Sequence, residues 1–446
     1  MCPAGASDGW FLTAIQLEHL RVTGTSFIGG AVDIMKCFDQ IHRGLLYTLA
    51  TAAGFPPRIL EAYRAYHESV QAYNSIAGSL GAPYTKPASI PQGCPLSMVL
   101  IALIMLPWTR LIHAHGASAR VLADDVLLVV PGPEPMPQFL HLFDATHQFL
   151  IALGAKIAHT KSHTFASCST YRHQLKRHKW PAINQHIQVV LHTRDLGAHI
   201  NTTNRLTSST LTNRLTAATN IVRRIAWLPL NAHNKANAIA SRAVKKALYG
   251  CEASPAVEQP LGALRSAISR AIGYRTPFAS TCLTFLTQTN STDLDPVTHI
   301  LRLRLSALCR YLARDDQHAT RLSTIGTIIQ AYRNRDHQGT LVDPDYLAAL
   351  PPAPPPGHKD RYRWVRPKAC QKSPVMGPIG LLLQNLFEMA ASCTADLKIH
   401  RHNEPPVAIT ALPYNQLKQL AQDMVSTSRI KAITGQRTET VDLIEV

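Results

Sequence analysis

The stretch VLADDVLLVV, Val121 to Val130, sets two adjacent carboxylates, Asp124 and Asp125, between two β-branched, apolar runs. Strand, tight turn and strand is the natural reading. The turn then carries two negative charges at the tip of a hairpin with apolar legs. Charges held so close together call for a cation, and the pair is half of a divalent-metal site. It is also what a solvated turn looks like. A third carboxylate, Asp33, interrupts the apolar run of GGAVDIMKCFDQI. Alone it reads equally as a buried, hydrogen-bonded residue or as a helix cap. In IPQGCPLSM, Ile90 to Met98, Pro91 and Gly93 shape a loop that opens a helix. That loop is either a simple turn or a platform where backbone groups closely approach a ligand.

These residues need elements to position them. Trp10 to Val22 has the spacing of an amphipathic helix, and Gly24 and Gly29-Gly30 are expected to break it. Ala31 to Met35 is expected to be a strand, with Phe38 packed just beyond it. Leu45 to Ala53 and Pro57 to Val70 read as helices, and Gln71 to Thr85 as a hairpin. Met98 to Leu106 is apolar on every side and is expected to be a buried helix. Phe139, Leu142, Phe143, Phe149, Leu150 and Leu153 form a core stripe closed by Gly154. KIAHTKSHTFA, Lys156 to Ala166, reads as strand, loop and strand; its Lys161 has the look of a solvated loop lysine. Gln188 to Ile200 reads as a hairpin turning at Asp195-Leu196-Gly197. From Ser209 the period becomes helical, with Leu211, Leu215, Ala218, Val222 and Ile225 as one stripe. Ala236 to Tyr249, Leu261 to Ile272 and Thr298 to Ala313 read as further helices. PPAPPPG, Pro351 to Gly357, is a stiff polyproline linker.

At 446 residues, 46% hydrophobic and 16% charged, the chain has the composition of a folded protein with room for several domains. The net charge of +17 is unevenly spread. Lys156 to Gly250 holds 15 Lys and Arg against the single acid Asp195. That imbalance favours a polyanion over a merely solvated face. Nine cysteines are scattered without zinc-ligand spacing, which suits a reducing, intracellular compartment. The longest apolar run ends at Pro107 and is too short to span a bilayer, so no membrane partner is expected.

AVDIMKCFDQI, IPQGCPLSM and VLADDVLLV, in that order, resemble the successive palm motifs of reverse transcriptases, particularly those of non-LTR retrotransposons and group II intron proteins. LGAKIAHTKSHTF, DLGAHI and LPLNAHNKANAIASRAVKKALYGCE are similar to the segments beyond the palm in that group, so the likeness runs from about Trp10 to Glu252. It implies an α+β fold: a polymerase palm of antiparallel strands backed by helices, with partial fingers, a helical thumb and a mostly helical C-terminal region. The implied division is fingers and palm over 1–205, a basic thumb over 206–285, a helical region over 286–350, and a proline linker with tail over 351–446. The implied activity is RNA-templated DNA synthesis by two Mg²⁺ ions, with Mn²⁺ as a substitute, on an RNA template, a DNA primer and dNTPs.

By the same resemblance Asp33, Asp124 and Asp125 are catalytic metal ligands. Phe38 lies under the incoming sugar and disfavours a 2′-hydroxyl. Gln92 and Gly93 contact nucleotide and template, and Lys161 can protonate leaving pyrophosphate. The basic helices bring Arg214, Arg223, Arg224, Arg242, Lys245 and Lys246 to the nucleic acid. Leu122 stands where an aromatic is common, and Asp195 where a tyrosine is common. Only a short segment precedes Asp33, where related enzymes carry a fingers region, and Arg21 is its one Lys or Arg. The expectation is therefore an N-terminally truncated piece of a retroelement protein, or a decayed copy. A catalytically silent remnant that binds RNA, and an RNA-dependent RNA polymerase, are the alternatives.

Overall fold

The structure is a computed structural model that describes residues 5–86, 88–90, 94–203, 206–273, 280–287, 294–313, 317–335, 377–389, 391–401 and 404–434. Gln92, Gly93 and the proline run 351–357 lie outside the described residues. Two compact units form, residues 1–9 with 25–191 and residues 10–24 with 192–446. The expected boundaries at 205, 285 and 350 do not coincide with this division.

Helix α1 (Ala6–Val22) opens the chain, and residues 10–24 belong to the second unit. In the first unit β1 (Phe27–Val32) is followed by the short helix α2 (Cys37–Gln40), then α3 (Arg43–Ala52) and α4 (Pro57–Ser69). The hairpin β2 (Ser75–Ile76) and β3 (Ser79–Leu80) precedes the long helix α5 (Ser97–Ala114). Strands β4 (Ser118–Leu122) and β5 (Asp125–Pro131), helix α6 (Pro135–Ala152), β6 (His163–Ala166), α7 (Ser169–Arg177) and β7 (Gln188–Val189) complete it. The strands make one sheet in the order β4-β5-β1-β6-β7, antiparallel except for the β6–β7 pair. This is the α+β arrangement expected, an antiparallel sheet backed by helices.

Strand β1 starts earlier than its hydrophobicity suggests, because Gly29 and Gly30 lie inside it rather than breaking the chain. The reason is steric. A Cβ on Gly29 would sit 2.3 Å from the ring of its cross-strand neighbour Phe165. On the other face, a Cβ on Gly30 would sit 2.4 Å from Phe143 and 3.1 Å from Phe139 of α6. The glycines let aromatic rings close directly onto the central strand. Fully buried Phe139, Leu142, Phe143 and Leu150 confirm the core stripe of α6. Trp108 of α5 donates its indole N–H to Thr146 of α6 at 2.9 Å.

Helix α5 departs from expectation twice. It continues through Pro107, and only one face is buried: Leu100, Ile101, Ile104, Met105, Trp108 and Ile112 face the core, while Met98, Val99, Leu106 and Leu111 are exposed. At 18 residues and mean hydropathy 1.6 it is long and apolar enough to cross a membrane, by length and composition alone. Core packing accounts for the inner half of that apolarity.

The second unit has its own apolar core. Strands β8 (His192–Asp195) and β9 (Ala198–Asn201) pair across the Leu196-Gly197 turn. Helix α8 (Ser209–Ala226) buries the predicted stripe from Leu211 to Ile225. Next come α9 (Ala232–Ile239), a π-helical turn Ala240–Val244 and α10 (Lys245–Leu248), a helix that begins earlier than its apolar pattern because Asn231 caps it. Helices α11 (Glu258–Ile272), α12 (Thr281–Thr287), α13 (Pro296–Leu312) and α14 (His318–Arg335) come after it. Beyond them stand α15 (Pro378–Glu388), a sheet of β10 (Ala391–Cys393), β11 (Lys398–Arg401) and β12 (Glu404–Ala408), and α16 (Tyr414–Thr434). Buried polar groups tie this unit together. Glu18 of α1 accepts from the Ile379 and Gly380 N–H groups at the start of α15, each at 2.8 Å, and from the Tyr332 hydroxyl. Burial pushes its carboxyl up despite those bonds.

Candidate active site

The carboxylate pair stands where the sequence expects it. Leu122 pairs with Asp125 across a two-residue turn, Ala123 and Asp124, and both aspartates are exposed. Ala123 adopts φ +56°, a conformation L-residues avoid, and such strain costs on the order of 1 kcal/mol or more. Asp33 follows β1 directly. The β1–β5 register ends at Val32 opposite Val126, so Asp33, the next residue of the chain, and Asp125, the first of β5, lie at the same end of neighbouring strands. All three carboxylates therefore come from one end of one sheet, at the β4–β5 turn and just past β1. Among the described residues, no group of three or more His, Cys, Asp or Glu side chains is drawn together as a metal cluster. The backbone supplies neighbouring hard oxygen donors of the kind Mg²⁺ takes, without a closed cage.

What holds Asp33 comes from the other side. Its N–H donates to the Ser162 hydroxyl at 3.1 Å, and its carbonyl accepts from Ala158 N–H at 2.9 Å. Ser162 is fully buried and donates in turn to the Ala158 carbonyl at 3.0 Å. Lys161 sits in that same turn, its N–H bonded to Ala158 and its side chain exposed. The segment expected as a first strand makes only the isolated bridge Ile157–Ile34.

Cys37, at the start of α2, has its thiol pushed up to about 11, chiefly by burial and then by the Asp124 carboxylate. Cys37 and Ala123 of the hairpin turn line one cavity. Phe38 is half-buried against the core, and its carbonyl accepts from Ile90 N–H at 2.8 Å. The residues just before Gln92 and Gly93 are held by a side chain that the motifs did not mark. Buried Arg43 donates to the Ser89 carbonyl at 3.1 Å and to the His67 carbonyl at 2.7 Å. Ser89 itself carries φ +111°. Nothing in the local pattern separates Arg43 from a surface arginine, and Ser162 looks like an ordinary loop serine.

Residues 10–189 match the family model described as reverse transcriptase (RNA-dependent DNA polymerase). The chain carries a reverse transcriptase domain. A stretch of 133 residues, 27% of the chain, is 30% identical to the transposon TX1 uncharacterized 149 kDa protein of Xenopus laevis and covers 10% of it. The chain thus aligns with about a tenth of that relative's length. A telomerase structure from Candida albicans, solved with a TWJ fragment of telomeric RNA, aligns over 69% of this chain and 53% of its own, at 13% identity and a TM-score of 0.31. The corresponding Candida tropicalis structure aligns over 74% and 53%, at 11% identity and a TM-score of 0.34. At such scores the fold rests on the sheet and its register.

Beyond the reverse transcriptase domain, the predicted basic residues divide. Arg223, Arg224, Arg242, Lys245 and Lys246 are exposed. Arg214 departs from the expected surface role. It is half-buried, donates to the Tyr249 carbonyl at 2.7 Å and lies 5.1 Å from the centre of the Tyr249 ring. It braces α8 against α10, and that use of its charge was not legible from helical spacing.

Proposed function

We propose that the chain extends a DNA strand on an RNA template, as part of a retroelement, using dNTPs and a primer 3′-hydroxyl. One observation carries this reading. Asp33 and the Asp124-Asp125 hairpin stand at the same end of a sheet that lies within the reverse transcriptase match. In this proposal Asp33 and Asp124, with Asp125 as third donor, hold Mg²⁺ or Mn²⁺, which when bound supplies charge neutralisation at the reacting phosphate. Ser162 fixes Asp33, and the Ala123-Asp124 turn keeps the pair out of the core. Phe38 lines the sugar position and favours deoxynucleotides, Lys161 donates a proton to leaving pyrophosphate, and Gln92 and Gly93 contact the nucleotide. The exposed Arg223, Arg224, Arg242, Lys245 and Lys246 hold phosphates. The seven described cysteines are all unpaired, in keeping with a reducing intracellular compartment.

The test is the full chain with a primed RNA template, dNTPs and Mg²⁺. Incorporation that Asp124→Asn abolishes, with the fold unchanged by circular dichroism, supports the proposal. A second reading, a silent remnant that binds RNA through Lys156 to Gly250, is favoured by the open arrangement of the carboxylates. It predicts binding without incorporation. Preferred use of rNTPs would instead favour RNA synthesis.

A further inference from the structure

The second unit leaves one large aromatic side chain almost wholly in water. Trp227, at the C-terminus of α8, is 87% exposed, and Leu228 and Leu230 beside it are 46% and 39% exposed. Among the described residues its ring has no aromatic or cationic partner, so it does no packing work. Its surroundings are ordered nonetheless. Trp227 N–H donates to the Arg224 carbonyl at 3.2 Å, and Leu228 N–H to Ile225 at 3.1 Å. Buried Lys235 sends its ammonium to the Ala226 carbonyl at 2.8 Å, closing the end of α8. Asn231 caps α9 on the far side of the turn by accepting from Asn234 N–H.

A rigid turn that displays a bare indole is unfavourable for solubility and gains nothing for the fold. Its neighbours identify what would cover it. Arg223 and Arg224 lie four and three positions before Trp227, on the last turn of the same helix, and both are exposed. The surrounding segment holds 15 cations and a single acid, a balance that calls for a polyanion. The bare indole calls for a polyanion that also carries flat apolar faces. Single-stranded RNA is that ligand. Unpaired bases stack on aromatic rings without regard to sequence, while neighbouring cations track the phosphates.

We infer that Trp227 is a stacking platform for one unpaired nucleotide of an RNA strand, flanked by phosphate contacts from Arg223 and Arg224. This rests on the proposed nucleic-acid role of the basic helices and deepens it. The turn is preformed, so little ordering accompanies binding.

The experiment measures binding of the full chain to a labelled, unstructured oligoribonucleotide and to a fully paired RNA duplex, across a salt series. Trp227→Ala is expected to weaken single-strand binding about tenfold, the loss of one base stack, and to leave the salt slope unchanged. Trp227→Phe should keep most of the affinity. Arg224→Ala should lower the slope by about 0.7. The indole emission should be quenched by the single strand in the wild type, and that part of the quench should vanish in Trp227→Phe. Unchanged single-strand affinity in Trp227→Ala overturns the platform and leaves RNA binding by the basic residues standing. Equal loss on the duplex also overturns it, since paired bases offer no free face. Capture by phosphatidylserine vesicles that Trp227→Ala abolishes, with RNA binding unaffected, assigns the patch to a membrane surface instead. A wild-type chain that binds no RNA removes both the platform and the reading beneath it.

Discussion

Ser162→Ala is the substitution that most directly tests how the carboxylate end of the sheet is held. The hydroxyl is fully buried, accepts the Asp33 N–H at 3.1 Å and donates to Ala158 at 3.0 Å. The two ends of that link are not equivalent. The Ala158 carbonyl keeps two backbone donors, Lys161 N–H at 3.0 Å and Ser162 N–H at 2.9 Å, so its loss is minor. The Asp33 N–H, part-buried, is left without this acceptor, which costs at most about 1–3 kcal/mol. Loss of a single oxygen leaves too small a void to add much. Urea unfolding should therefore show a destabilisation of at most about 1–3 kcal/mol. Primer extension should fall further than stability does, about 10- to 100-fold in kcat, because Asp33 loses its fixed position. Nucleic-acid affinity should stay unchanged. Ser69→Ala is the control: its hydroxyl bonds an exposed helix carbonyl, and its effect should stay within about 0.5 kcal/mol. A Ser162→Ala chain as stable as that control, with full incorporation, would refute the claim that this hydroxyl holds Asp33.

Gly30→Ala should destabilise the first unit by about 1–3 kcal/mol, since the new Cβ meets the Phe143 ring at 2.4 Å; Phe143→Leu in the same chain should recover part of it, and additive losses in the double-mutant cycle would sink the steric account. Buried His147, between Phe143 and Trp180 with no hydrogen-bond partner for either ring nitrogen among the described residues, has its pKa lowered by burial to about 4. The unfolded chain binds that proton near pH 6.5 and the folded chain does not, so the contribution is intact above about pH 6.5, is lost as pH falls toward 4, and totals on the order of 3 kcal/mol. His147→Phe should flatten the stability profile across that window, and an unaltered profile would show that another group governs it. Phe38→Ala should relax the preference for dNTPs over rNTPs in primer extension; unchanged selection would remove the sugar-gate role.

Residues whose function depends on their own type were legible in the chain, and residues that act through a distant partner were not. Asp33, Asp124 and Asp125 are conspicuous because charge interrupts β-branched runs, and the strand pairing then brings them to one end of the sheet. The stripe of α8 was equally plain, since burial on one helical face imposes its own period. By contrast, Gly29 and Gly30 read locally as a break, yet they belong to the central strand because of Phe165, Phe139 and Phe143, all far along the chain. Ser162 and Arg43 have the same character: each completes a backbone segment remote in sequence. Arg214 illustrates the opposite error, for a cation with helical spacing was spent inside the fold on Tyr249. The C-terminal sheet β10-β11-β12 was unread because its strands are three to five residues long, too short for a period to emerge.

The division of charge along the chain sets an order of events for the proposed reaction. Three carboxylates at one end of the sheet repel a phosphate backbone as readily as they attract a cation, so they cannot themselves be the source of affinity for nucleic acid. That affinity has to come from cations, and Lys156 to Gly250 holds 15 of them against one acid. Binding and chemistry are then carried by different residues and should separate on mutation. Asp124→Asn removes a negative charge from an exposed turn, so it should bind a primed template as tightly as the parent or more tightly while incorporating nothing. Neutralising Arg223 and Arg224 should weaken binding and its salt dependence, yet leave the rate at saturating template intact. Were Asp124→Asn to lose affinity and turnover in the same proportion, the aspartate would be supporting the fold of the hairpin rather than the chemistry at its tip.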